Sequence, residues 1–287
     1  MPSTSPDYFI YNGKPVRTSS PVLSASTRGL RYGDGLFETI RFSNNRLHLI
    51  NEHLHRLWTG MRMLQFDIPR LFTPESLIRD IHSLISKNHH TRARIRLTLF
   101  RGNGGLYDPE SHTPQYIIES WELPPYVPPL TQNGLTLCIY RDLRKSTDPI
   151  NNLKHNNCLP YVLGARFAQS LRCNDALILN TNNHICDSTI ANLFLLKNNT
   201  VYTPALSEGC VAGVLRQAII DCLQHTPFAV VEKSISIEEA LSADELFLTN
   251  AIRLIRPVKQ LEDRSFPSTI TFTIHDLIRQ TKPELFC

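Results

Sequence analysis

The sequence predicts an α/β (α+β) chain of two domains, and three observations lead there. Strand-type and helix-type hydrophobic patterns alternate along most of its length. A stiff stretch with four prolines, Leu123-Pro-Pro-Tyr-Val-Pro-Pro-Leu130, separates an earlier from a later set of these patterns. The 287 residues also exceed what one small core needs and suit one large domain or two ordinary ones. The expected division is an N-terminal α/β domain over 1–122, a linker over 123–130 and a C-terminal domain over 131–287.

In the first part, a strand over 8–11 ends at the turn Asn12-Gly13, and a strand over 36–42 ends at Asn44-Asn45. Residues 48–64 carry Leu49, Leu54, Leu57, Met61 and Leu64 at helical spacing. Thr73 is an N-cap with Pro74 at the first helical position, opening a helix that runs through Leu84. Residues 94–100 alternate polar and apolar, as a half-buried strand does. The second part is expected to hold strands over 135–140, 176–179, 189–196, 201–203, 229–232 and 245–248. Helices are expected over 159–171, 214–223 and 237–241, with a terminal helix from about Phe272.

Composition excludes several classes of function. Hydrophobic residues make up 41% and charged residues 20%, as in globular domains. No run approaches the roughly 20 apolar residues of a membrane helix, and Met1–Asp7 has neither the basic nor the apolar region of a secretory signal. The seven cysteines form no CxxC pair and are odd in number, so reduced thiols in a cytoplasmic protein are expected. The net charge of +4 comes from interleaved charges with no basic stripe, which speaks against nucleic acid as a partner and suits a small anionic ligand. No histidine pair has ligand spacing, and no metal is expected.

Five segments carry chemistry. Lys154, in Asn151-Asn-Leu-Lys-His-Asn-Asn157, taken alone reads as a solvated surface lysine. It stands before a helical pattern, where a flexible stem and a tuned pKa would make its amine reactive. Asp187-Ser-Thr-Ile-Ala-Asn192 leads into the strand expected over 189–196, and Asp187 taken alone reads as a strand-terminal aspartate in a turn. Gly213-Val214-Leu215 opens a helix, whose first N–H groups attract anions. Thr249-Asn250-Ala251 closes an apolar strand. In Tyr32-Gly-Asp-Gly-Leu-Phe-Glu38 and the strand beyond it, Phe37, Thr39 and Arg41 alternate onto one face.

Together, and in this order, these segments resemble the fold-type IV (class IV) pyridoxal-phosphate enzymes, the D-amino-acid aminotransferase-like fold. That family includes branched-chain and D-amino-acid aminotransferases and aminodeoxychorismate lyase, and the resemblance covers nearly the whole chain. It implies a pyridoxal 5′-phosphate cofactor and makes Lys154 the Schiff-base lysine and acid–base catalyst, carried with the phosphate site on the second domain. It gives Asp187 the task of holding the ring nitrogen protonated, where most relatives have a glutamate, one methylene longer. It assigns the phosphate to Gly213, Val214 and Leu215, to Asn250 and Ala251, and to Arg56, whose guanidinium fork suits two oxygens. Phe37, Thr39, Arg41 and Arg96 would line the substrate pocket. Arg41 would accept a carboxylate there or else sit in a cross-strand charge pair, and the glycine-rich loop 101–107 is a further candidate. The Arg-x-His carboxylate trap of D-amino-acid aminotransferases has no counterpart in that loop.

The leading functional expectation is an aminotransferase moving an amino group between an amino acid and a 2-oxo acid. The alternative is aminodeoxychorismate lyase, and a remoter one is a non-catalytic protein that binds the cofactor. Relatives of this kind form homodimers, so a homodimer is expected.

Overall fold

Tyr8–Tyr11 (β1) and Lys14–Arg17 (β2) form a hairpin because Asn12 and Gly13 both adopt left-handed backbone, with φ of 46° and 79°. The computed structural model to which they belong describes residues 6–124, 130, 133–224 and 226–286. Residues 125–129 of the proline-rich segment lie outside the described residues. Contacts divide the chain into two units: Met1–Tyr126 with Leu153–Asn157, and Val127–Asn152 with Cys158–Cys287.

Unit 1 continues through Arg28–Tyr32 (α1), Gly35–Ser43 (β3), Arg46–Leu47 (β4), Ile50–Met63 (α2), Pro74–Lys87 (α3), Ala93–Arg101 (β5) and Pro114–Glu122 (β6). Its sheet is antiparallel, in the order β2-β1-β6-β5-β3-β4. Ile40, Ile95, Leu97, Leu99 and Ile118 share one core with Leu54, Leu57 and Met61 of α2 and Leu77, Ile81 and Leu84 of α3. The helical repeat expected over 48–64 is therefore the core stripe of α2. Thr73 caps α3 as expected, its hydroxyl accepting from Ser76 N while the Ser76 hydroxyl accepts from Thr73 N.

Phe37, Thr39 and Arg41 point away from the core side chains of β3, because strand side chains alternate. In register beside them stand Thr98, Arg96 and Arg94 of β5. Glu38 falls on the opposite, core face between Leu36 and Ile40, and is fully covered.

Unit 2 holds Leu135–Lys145 (β7), Leu159–Ser170 (α4), Asp175–Asn180 (β8), Ile185–Ser188 (β9), Asn192–Lys197 (β10), Thr200–Pro204 (β11), Val214–Leu223 (α5), Ala229–Lys233 (β12), Ile237–Leu241 (α6), Glu245–Asn250 (β13), Leu254–Leu261 (β14), Arg264–Ser265 (β15) and Thr269–Thr281 (α7). They form a mixed nine-stranded sheet, β12-β11-β10-β13-β14-β7-β8-β9, with β15 on β14. One face buries Leu137, Leu177, Leu193, Leu246 and Val258 under α6; on the other, Cys138, Tyr140 and Ile178 meet α4.

Three expectations are corrected. The strand expected over 189–196 begins only at Asn192, because Ser188–Ala191 is a tight turn: Ser188 N bonds Ala191 O at 2.8 Å, and Ala191 N bonds the Ser188 hydroxyl. Strands β6 and β14 have no counterpart in the sequence reading. Lys154, expected with the second domain, groups by contacts with unit 1: Leu153 joins the unit 1 core, and Leu36 and His155 form an antiparallel bridge.

Candidate active site

Lys154 is held by its backbone. Its carbonyl accepts from Phe37 N at 2.8 Å, and Asn156 N donates to Gly35 O at 3.0 Å, so the lysine runs along the edge of β3. Its Nζ lies 4.4 Å from the centroid of the Phe37 ring. The Arg96 guanidinium lies 3.8 Å from the same ring, and Arg96 Nε donates to Thr98 Oγ1. Phe37, Arg96 and Lys154 are thus brought together in unit 1.

Thr39 is half-buried on this face, and Arg41 is fully buried, in register with Arg94. Arg96 stands opposite Glu119, whose carboxyl is raised by burial, an effect Arg96 and Arg94 partly offset.

Arg56 sits on α2 with a partner the sequence did not suggest. Its Nε and Nη2 donate to the two oxygens of Glu38 at 2.8 and 2.6 Å, and His53 Nδ1 meets Glu38 Oε2 at 2.6 Å. Burial alone would raise the Glu38 carboxyl; the charges of Arg56 and then His53 outweigh it and hold it down at about 2. The Nε edge of Arg56 is therefore fixed by an ionised carboxylate inside the core.

Arg101 and Arg28 meet at Asp34. Arg101 bonds Asp34, the carbonyls of Leu64 and Gln65 and the ring of His112, while Arg28 joins Asp34 to the carbonyls of Gly104, Leu106 and Tyr107. The Arg101 guanidinium is thus occupied by side chains and carbonyls of its own unit.

In unit 2, Asp187 lies in β9 with 2% of its surface exposed. Its Oδ2 accepts from three donors: Tyr161 OH at 2.9 Å, Val211 N at 3.1 Å and Lys145 Nζ at 3.2 Å. Its Oδ1 is buried and has no hydrogen-bond partner. Lys145 and Tyr161 were not singled out from sequence. Lys145 closes the run Arg141-Asp-Leu-Arg-Lys145, where nothing local marks one cation as buried.

Asn192 organises the turn before α5. Its Nδ2 donates to Val211 O at 2.8 Å, and a Cβ on Gly213 would fall 1.9 Å from its Oδ1. Gly213 is the N-cap of α5 and supplies no side-chain cap, so the N–H groups of Val214 and Leu215 open the helix uncapped. Asn192 is also in register with Thr249, whose hydroxyl is buried without a partner. Asn250 folds the next turn, its Oδ1 accepting from Ile252 N and Arg253 N, with Ala251 between. Asp187, Gly213 and the Thr249–Ala251 segment thus connect through Val211 and Asn192.

Gly213→Ala is expected to drive the Asn192 amide off Val211 O, at a cost of about 1–3 kcal/mol. Urea unfolding reads that loss; an unchanged midpoint would show that the turn has room for a methyl.

The chain belongs to the class IV aminotransferase family, whose profile matches residues 35–261. It is 30% identical over 256 residues to a putative branched-chain-amino-acid aminotransferase of Methanocaldococcus jannaschii, covering 88% of this chain and 87% of that one. It is equally 30% identical, over 281 residues, to an aminodeoxychorismate lyase of Vibrio harveyi, covering 96% and 99%. Its fold matches the crystal structure of the Escherichia coli branched-chain amino acid aminotransferase with a TM-score of 0.86 at 25% identity, over 98% and 95% of the two chains.

The cofactor of this family is pyridoxal 5′-phosphate. The residues present fit it: the unpartnered Asp187 Oδ1 is an acceptor for a protonated ring nitrogen, and the Gly213 turn leaves backbone donors for a phosphate. Among the described residues, no helix is long and apolar enough to cross a membrane, and no group of three or more acidic, histidine or cysteine side chains could hold a metal.

Proposed function

We propose that this protein is an aminotransferase, moving an amino group from an amino acid to a 2-oxo acid with Lys154 as its catalytic amine. The observation that carries this reading is the buried Asp187 carboxylate with one saturated and one open oxygen, an arrangement that answers a cationic ring nitrogen. When bound, pyridoxal phosphate supplies an electron sink for charge left at a substrate carbon.

The protein's own residues do the rest. Lys154 Nζ would hold the cofactor and, once displaced from it by the substrate's amine, would take the α-proton and return it, with the amine placed over the Phe37 ring. Asp187 Oδ1 would accept from the ring nitrogen and favour its protonated form. The N–H groups of Val214 and Leu215 after Gly213, the Asn250–Ala251 turn and Arg56 would hold the phosphate. Thr39, Arg41 and Arg96, on the face that bears Phe37, receive the substrate, Arg41 or Arg96 taking its carboxylate. Homodimer formation and a cytoplasmic location belong to the same proposal.

A second reading, aminodeoxychorismate lyase, is favoured by the Vibrio harveyi relative, which aligns over 99% of its length. One experiment separates the two. The purified protein should be yellow, and borohydride should fix the cofactor on Lys154. It should turn over some member of a panel of L- and D-amino acids with 2-oxoglutarate. Pyruvate release from aminodeoxychorismate without an amino acceptor, and no transamination, would replace the first reading by the second. A colourless protein with neither activity would remove both.

A further inference from the structure

We infer that Lys145 is a positioning residue that sets how strongly Asp187 acts on the cofactor. It ties down Oδ2 and neutralises part of the carboxylate charge, so that Oδ1 alone faces the ring nitrogen. The inference rests on the reading of Asp187 given above and goes beyond it, to a second buried lysine.

Lys145 ends β7 and is only 4% exposed. Its Nζ donates to Tyr161 OH and to Asp187 Oδ2, and Tyr161 donates to the same Oδ2, so the three groups close a ring. Val211 N completes the saturation of Oδ2. A carboxylate has lone pairs to spare on both oxygens. Here every protein donor converges on one, which orients the plane of the group and leaves Oδ1 for a donor from elsewhere. Aspartate reaches one methylene less far than glutamate, so three donors fixing its plane serve a side chain that cannot reach by bending.

The surroundings leave Lys145 as the cation paired to Asp187. Tyr161, on α4, is pushed well above its ordinary range by burial and then by the Asp187 charge. Cys186, next to Asp187 on β9, is pushed up by the same two causes, and burial raises Cys210 to about 12. All three stay neutral near pH 7. Arg216 on α5 turns to Pro204 O and to Glu232. Removing the Lys145 charge therefore leaves the Asp187 charge less compensated, which favours the protonated form of a nearby group.

The readout is the pH midpoint of the visible absorption band of the cofactor-loaded protein. Lys145→Gln should raise that midpoint by roughly one pH unit, and Lys145→Arg, which keeps the charge, should restore it. A purely structural lysine would change unfolding and leave the midpoint in place. If Lys145→Gln does not fold, Lys145→Gln with Asp187→Asn removes both charges, and its midpoint should lie above that of Asp187→Asn alone. A midpoint unmoved in whichever background folds overturns the inference while the functional reading stands. Absence of the band from the unaltered protein overturns the functional reading, and this inference with it.

Discussion

Lys154→Ala should keep the fold while its turnover falls by roughly 10²–10⁴-fold. The fold is spared because Lys154 contributes to unit 1 through its main chain. Its carbonyl accepts from Phe37 N, Leu153 fills the core and Asn156 N bonds Gly35 O, and none of these needs the lysine side chain. Among the contacts the substitution removes is that of Nζ over the Phe37 ring, worth about 0.5–2 kcal/mol. Circular dichroism and thermal melting should therefore change little, while steady-state rates collapse and borohydride no longer fixes the cofactor at this position. Turnover within tenfold of the unaltered enzyme would take the catalytic amine away from Lys154.

Glu38→Gln should be the most destabilising conservative change in unit 1, costing about 3–5 kcal/mol near neutral pH. The substitution keeps the shape but strips the counter-charge from Arg56 and alters the carboxylate that His53 Nδ1 meets, both residues being held against Glu38 inside the sheet–helix core. A pH series tests the same interaction. The Glu38 carboxyl is held at about 2, against an ordinary value of 4.5. A depressed carboxyl adds stability that is fully present above about 4.5 and is lost as the pH falls toward about 2. At about 1.4 kcal/mol per pH unit, that loss is roughly 3 kcal/mol. Urea unfolding of the unaltered protein should weaken across this window, and Glu38→Gln should lack that limb. Two identical curves would show that Glu38 carries no net charge interaction in the fold.

Much of the local architecture was legible because it is written in short-range chemistry. Thr73 and Pro74 mark a helix start wherever they stand before an apolar repeat, and α3 begins there. Asn12-Gly13 marks its hairpin for the same reason. Strand β6 was missed because its faces contrast weakly: Ser120 is buried and bonded by Asn88, while Ile117 and Trp121 lie on the other face. Strand β14 was missed because Pro257 sits inside it, where a proline argues against a strand. The predicted reach of 189–196 failed because the Ser188 hydroxyl bonds back to Ala191 N, a turn that apolar patterning does not record.

The site divides along the same line. By itself the sequence determined the family, the order of the chemistry-bearing segments and the alternation that puts Phe37, Thr39 and Arg41 on one face. Each of these is a matter of residue type and spacing. The tertiary structure alone decided which charges are buried together. Glu38 meets Arg56 18 residues on, and Lys145 meets Asp187 42 residues on, because sheet register and helix packing bring them side by side. A buried charge is tolerable only beside its partner, and no local pattern says which of several arginines, lysines or carboxylates will find one. Arg101 and Lys145 show both outcomes: the first, in a loop that looked ready for a ligand, is held by Asp34, His112 and the carbonyls of Leu64 and Gln65, and the second, in an unmarked run of charges, stands behind the carboxylate on which the proposed chemistry depends.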